Sequence, residues 1–309
     1  LWFHRQEKPT MSILTKQNTE DIFGITPLQE GLLFHYLKHE GESTQNFEQI
    51  CLYMSGSLDF QKIVSAWSTV VRQNEMLRTV FRWKKLSKPV QITLKEAAPN
   101  IRLEDLSGFS KEKQDQLVKE IQQKDKASLF DLEKVPFRVC IIKTDENHFI
   151  MMLSNHSIIY DGWSNGVMLK EFFKGYLALM KGQTSHLAEK LKFKNHLKWI
   201  KSTRNDEKEA AFWNDYLRDL QEDVSLQIKT TESEGAATYS ICSDHVVASE
   251  AAKIDAFCLQ NRLTKAAVLY AAWGILLQKI SDSRDVMFGT TVSGRSHGNA
   301  GIGDRKSVV

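Results

Sequence analysis

The sequence predicts a mixed α/β fold of stacked layers, and three observations carry that expectation. Short runs rich in β-branched and aromatic residues recur through the first half of the chain. Apolar stripes at helical spacing lie between and after them. Strands and helices alternate without the strict period of a parallel doubly wound sheet, which leaves a layered mixture as the better assignment.

The elements follow in order. Thr26, Pro27 and Gln29 form a capping pattern, with a hydroxyl at N-cap, proline at N1 and a glutamine at N3 able to reach back, so a helix should run from 27 to about 38. Asp59 announces a second helix, in which Ile63, Ala66, Trp67, Val70 and Val71 fall on one stripe that a sheet should cover. Strand candidates are 47–54, 77–83, 90–94, 137–143 and 148–154, the last two joined by a turn at Asp145-Glu146-Asn147. Helical patterns occupy 165–180 and 207–220, followed by a strand near 239–247. Helices at 249–260, capped by Ser249, and 264–280 precede a strand at 286–292. The segment 223–237, with its Thr, Ser, Glu and Gly, reads as an exposed loop.

A polar, lysine-rich stretch divides the chain into two lobes. Residues 1–20 read as linker or unstructured, 21–182 as the first lobe, 183–205 as the segment between lobes and 206–295 as a partial second lobe. The tail 296–309 is polar and glycine-rich, and reads as a frameshifted or truncated end. Missing strands there are expected to leave Val268, Ile275 and Leu276 partly uncovered.

Composition excludes several classes of function. The chain of 309 residues, 42% apolar and 26% charged, suits a globular protein large enough for two cores. A net charge of +3 is too balanced for the electrostatic footprint of nucleic-acid binding. The basic run 190–201, with Leu191, Leu197 and Trp199 among lysines, fits a solvated helix face. Cys51, Cys140, Cys242 and Cys258 form no Cys-x-x-Cys pair, so neither a metal site nor a disulfide framework is expected. With no apolar stretch of membrane-spanning length and no secretory pattern, the expected location is the cytoplasm.

The stretch that carries chemistry is Leu153-Ser154-Asn155-His156-Ser157-Ile158-Ile159-Tyr160-Asp161-Gly162-Trp163-Ser164, where a strand ends, turns and feeds a helix. A group at a strand end is held by a rigid sheet while the turn stays open to substrate. Asp161 can orient a ring or backbone, and Gly162 is expected to permit a backbone conformation that a side chain would forbid.

This segment resembles His-His-x-x-x-Asp-Gly, the signature of the condensation domains of non-ribosomal peptide synthetases. Aligned on Asp161 and Gly162, the first histidine is His156 and the second position is Ser157. Thr26-Pro27-Leu28-Gln29-Glu30-Gly31-Leu32-Leu33-Phe34 is similar to the family's opening motif, and Arg72 to Phe81 to its Arg-His-Glu-x-Leu-Arg-Thr-x-Phe motif, with Gln73 and Asn74 as small departures. Val286 to Arg295 looks like the start of the second lobe's strand-loop region.

The resemblance implies two chloramphenicol-acetyltransferase-like lobes with a tunnel between them, the second lobe incomplete here. No cofactor is bound directly. Substrates arrive on the 4′-phosphopantetheine arms of upstream and downstream peptidyl carrier proteins, beside an adenylation domain. The reaction implied is aminolysis of one thioester by the amine of another, in peptide antibiotic and secondary-metabolite biosynthesis. It also implies a structural salt bridge between Asp161 and Arg78.

Ser157 stands in the family's catalytic position, and a hydroxyl is no proton acceptor near neutral pH. His156 should face the packing layer when Ser157 faces substrate, because neighbours on a strand point to opposite sides. For the same reason a Ser157 nucleophile with His156 as base is disfavoured, and the Gly-x-Ser-x-Gly elbow is missing. A free-standing acyltransferase would want His-x-x-x-Asp, but four residues separate His156 from Asp161. The readings carried forward are a condensation domain of impaired activity and a non-catalytic carrier-docking module of the same fold.

Overall fold

The computed structural model describes residues 14–38, 44–183, 190–220 and 243–290. The chain divides into one compact unit reaching Thr203 and a second spanning Arg204–Thr291.

In the first unit, β1 (Thr19–Gly24) leads into α1 (Pro27–Lys38). The capping box closes as its residues dictate: Gln29 N donates to Thr26 Oγ1 at 3.1 Å, and Thr26 N donates to Gln29 Oε1 at 3.0 Å. After β2 (Phe47–Ser55), the Asp59 carboxylate accepts from Lys62 N at 3.1 Å and starts α2 (Phe60–Gln73). The run expected as a strand from 77 begins instead with a 3-10 turn at Glu75–Arg78, and β3 is only Thr79–Arg82. The reason is local: Asn74 N donates to the Val70 and Val71 carbonyl oxygens and closes α2, and Leu77 N donates back to Asn74 O at 3.0 Å, tightening the chain into a turn.

Next come β4 (Val90–Leu94), β5 (Ile101–Asp105), α3 (Lys111–Ala127), β6 (Phe137–Lys143), β7 (His148–His156), α4 (Gly162–Met180) and α5 (Phe193–Thr203). The strands form an antiparallel sheet of order β1-β4-β3 and a second sheet of order β2-β7-β6-β5, in which only β5 and β6 run parallel.

The second sheet is covered on both faces, and the alternation of β6 and β7 sorts their side chains. Val139, Ile141, Met151 and Leu153 meet the α2 stripe, whose Ile63, Ala66, Trp67, Val70 and Val71 are all buried, together with Met168 and Phe172 of α4. The Trp67 and Phe172 rings stack with centroids 4.8 Å apart. Cys140, Ile142, Ile150 and Met152 face the other way, against Val118 of α3. Each buried Val, Leu, Ile, Met or Phe among them contributes about 1.5–3 kcal/mol. Because β7 is buried on both faces, its end is a rigid platform.

The lysine-rich run is more constrained than a solvated face. Lys190 pairs with Glu171 at 2.5 Å, Lys192 with Glu20 at 2.8 Å and Lys194 with Asp21 at 2.9 Å, while Phe193 and Leu197 of α5 are buried.

The second unit contains α6 (Asp206–Tyr216), α7 (Ala248–Asn261) and α8 (Lys265–Ser281). Thr264 caps α8 through Ala267 N. The N-cap of α7 is Val247 rather than Ser249, which lies within the helix, because the chain turns helical a residue before the hydroxyl could cap it. Residues 243–247 and 286–290, expected as parts of strands, have no regular structure. A strand exists by its ladder, and none is formed with the described residues. The remainder of those two strands, the loop 223–237 and the segments 1–13 and 296–309 lie outside the described residues. Ile275 and Leu276 are exposed and Val268 is half-buried.

Among the described residues, Cys51, Cys140 and Cys258 are free thiols, and no group of three or more metal-binding side chains is assembled. No described helix is long and apolar enough to cross a membrane.

Candidate active site

Strand β7 ends at His156, opposite Phe47 of β2, with Asn155 opposite Glu48. The backbone then leaves the sheet through Ser157, whose N–H donates to Asn46 O at 2.8 Å. Ile158 and Ile159 are fully buried and Tyr160 nearly so, and these three apolar anchors pin the turn to the core beneath it. Burial pushes the Tyr160 phenol well above its usual value, with the Glu48 carboxylate adding to it.

His156 is buried, and its ring meets Tyr36 edge to face with centroids 6.0 Å apart. Its Nδ1 accepts the Ile158 N–H at 3.1 Å. That bond requires an unprotonated Nδ1 and so assigns the neutral ring's proton to Nε2. Ser157 is half-buried, and its hydroxyl lies 2.9 Å from Glu48 Oε1 and 3.2 Å from Asn46 O. A hydroxyl has one proton to donate, and the bond to a carboxylate is the stronger of the two. Glu48 Oε2 also accepts from Asn165 Nδ2 of α4 at 3.5 Å.

Asp161 is the N-cap of α4, its Oδ1 accepting from Ser164 N at 3.0 Å and Ser164 Oγ at 2.7 Å. Gly162 is the first residue of that helix. A Cβ there would meet nothing within 4 Å and its φ is not positive, so the expectation that this position needs glycine's backbone freedom is overturned.

The implied Arg78–Asp161 pair is likewise replaced. Arg78 is 6% exposed and bonds Glu20 Oε2 at 2.7 Å together with the carbonyl oxygens of Leu94 and Lys95. It therefore ties β1 and β4 to the 3-10 turn. Burial alone would raise the Glu20 carboxyl, but its bonds to Lys192 and Arg78 outweigh that and hold it below the ordinary value. Arg78, Glu75, Tyr160, Ser164, Met168 and Phe193 are among the residues lining a cleft of ≈ 210 Å³.

Three residues have roles in this region that sequence reasoning passed over. Gln29 does more than cap α1: its Nε2 donates to Ile158 O at 3.1 Å and bonds the Gln91 side chain, joining α1, β4 and the turn. On the other face of the sheet Asp125 is fully buried, accepting from Arg138 at 2.7 Å, Ser154 Oγ at 2.5 Å and Gln49 at 2.9 Å. Burial opposes the charge, but the bonds to Arg138 and Ser154 lower its pKa overall. Glu48 is the third, and its only sequence signal is its register opposite Asn155 once β2 and β7 are paired.

The condensation-domain family model matches residues 19–308. A plipastatin synthase from Bacillus subtilis is 31% identical over 278 residues, covering 89% of this chain and 11% of that protein. Gramicidin S synthase 2 of Brevibacillus brevis is 28% identical over 298 residues, 94% of this chain and 7% of that protein. This chain thus spans a small part of such relatives. Among solved structures, the first condensation domain of the calcium-dependent antibiotic synthetase aligns with a TM-score of 0.74 at 19% identity, covering 93% of this chain and 68% of that one. A starter condensation domain of rhizomide synthetase aligns at 0.60 with 14% identity, over 67% and 50% of the two chains. These solved domains share its mixed α/β fold, and by the match along nearly its whole length the chain belongs to the condensation-domain family of non-ribosomal peptide synthetases.

Proposed function

We propose that this chain forms an amide by aminolysis of one carrier-bound thioester by the amine of another, at the turn from His156 to Gly162. The observation that carries the reading is the support of that turn: a strand buried on both faces ends at it, Gln29 holds its Ile158 carbonyl, and Asp161 starts the helix that leaves it. Such rigidity is what holding two reactants in attack geometry requires. Substrates would arrive on the phosphopantetheine arms of upstream and downstream carrier proteins, beside an adenylation domain. The length of the synthetases it resembles agrees with that setting.

In this reading Ser157 occupies the catalytic position and His156 fixes the turn through the Ile158 N–H. Asp161 and Gly162 begin α4, and Arg78 secures the strands behind it. The hydroxyl at 157 also favours a second reading, a carrier-docking module of the same fold without catalysis. Single-turnover mixing with two loaded carrier proteins, followed by mass spectrometry, separates them. Amide product above the rate without the chain supports condensation, whereas carrier binding without product supports docking.

A further inference from the structure

We propose that Glu48 is the catalytic proton acceptor of this site and the group that holds the incoming amine, an inference that rests on the condensation reaction proposed above. Asp161 is occupied in capping α4, Asp125 is neutralised by Arg138, and Glu20 by Arg78 and Lys192. Glu48 differs from all three. Its side chain bonds the Ser157 hydroxyl at 2.9 Å and the Asn165 amide at 3.5 Å, both neutral, and no described Lys or Arg forms an ion pair with it.

A half-buried carboxylate without a cation of its own is a site for one, since burial makes an uncompensated charge costly and a pair favourable. The amine of an aminoacyl thioester, which arrives as an ammonium, is a cation of the right size. Glu48 is also rigidly placed. It faces Asn155 across the β2–β7 ladder, and Asn46 O receives the Ser157 N–H, so the carboxylate is held against the position where the family carries its catalytic histidine. Ser157 then serves as a donor that orients the carboxylate, a task a hydroxyl can perform although it cannot act as a base.

The step balances. The held ammonium first yields one proton to solvent, and the neutral amine then attacks the thioester carbon, forming the C–N bond and leaving a positively charged nitrogen on the tetrahedral adduct. Glu48 takes that proton, the C–S bond breaks, and the departing thiolate recovers the proton from the Glu48 carboxyl. Amine and thioester become amide and thiol, and Glu48 returns to its carboxylate form.

Two measurements on the same chain test this. In the first, alanyl-N-acetylcysteamine thioester and its des-amino counterpart, propionyl-N-acetylcysteamine thioester, are titrated and followed by NMR. The parent should bind the amine-bearing probe about tenfold tighter, the scale of one partly buried charge pair. Glu48→Gln should erase the difference, whereas Glu48→Asp and Ser157→Ala, which keep the carboxylate, should retain most of it. In the second, single-turnover amide formation on loaded carriers should fall about 10²-fold or more in Glu48→Gln, the usual contribution of a general base. Ser157→His should restore rate in that background by supplying an imidazole. Unchanged amine discrimination in Glu48→Gln, or none in the parent, overturns the assignment. Product formed equally fast by parent and Glu48→Gln overturns Glu48 while leaving condensation intact. Glu48-dependent amine binding with no product from the parent overturns the condensation reading and with it the catalytic role.

Discussion

Replacing Asp161 by alanine separates two accounts of the site's scaffold. In the structure Asp161 accepts from the backbone and the hydroxyl of Ser164 at the start of α4, and Arg78 is bonded to Glu20. Loss of an N-cap acceptor costs about 1 kcal/mol, within a range of roughly 0.5–2 kcal/mol. In a unit of this size that corresponds to a fall in Tm of roughly 2–4 °C per kcal/mol. Asp161→Asn keeps an acceptor and should stay close to the parent. Were Asp161 instead the partner of a buried Arg78, alanine would strand a charge at a cost of about 3–5 kcal/mol. Thermal and urea unfolding followed by circular dichroism distinguishes these, with Arg78→Met and the double variant completing a cycle. The structure predicts additive effects of Asp161→Ala and Arg78→Met. A loss of about 3–5 kcal/mol in Asp161→Ala that disappears in the Arg78→Met background would refute the reasoning.

The Asp125 cluster should be the more sensitive point: Asp125→Ala strands Arg138 and removes the Ser154 and Gln49 bonds, for a loss of about 3–5 kcal/mol by urea denaturation. Because the carboxyls of Asp125 and Glu20 lie below their ordinary values in the folded chain, the stability they add is complete above the unfolded carboxyl range and is lost as pH falls through the folded values. Urea midpoints should therefore hold near neutral pH and drop below about pH 4, less steeply in Asp125→Asn. A midpoint that rises on acidification would contradict both assignments. Trp67→Ala, which empties the space between α2, Phe137 and Phe172, should cost about 3–5 kcal/mol in the same assay.

Much of the first unit was legible because its signals are local. The Thr26–Gln29 capping box, the Asp59 cap and the α2 stripe each fix an element from a handful of neighbouring residues, and all three appear as read. Strands β4 and β6 begin and end where their β-rich runs do. By contrast β1, with acidic residues and a glycine, and β5, with alternating charge, carry weak propensity and are made by their partners β4 and β6. Helix α3 has charged and amide side chains on most of its surface and buries little beyond Val118, Gln114 and Asp125, so its apolar stripe is faint.

The site divides in the same way. The segment His156 to Gly162 stood out from its own residues, but Arg78's true partner Glu20 is 58 positions away in sequence and Glu48 is 109 positions from Ser157. Such partners follow from sheet register, which a motif does not encode.

The central claim is that thioester substrates meet at Ser157, and a crosslink tests it without depending on turnover. A carrier protein loaded with a chloroacetyl-phosphopantetheine arm is mixed with Ser157→Cys, and the bonded peptide is located by mass spectrometry. The account predicts carrier-dependent alkylation at position 157, well above that at the native thiols Cys51 and Cys140, of which Cys140 is buried and pushed up to about 11. Labelling of the introduced thiol that is no faster with the loaded carrier than with free chloroacetamide, or a crosslink confined to other positions, would contradict it.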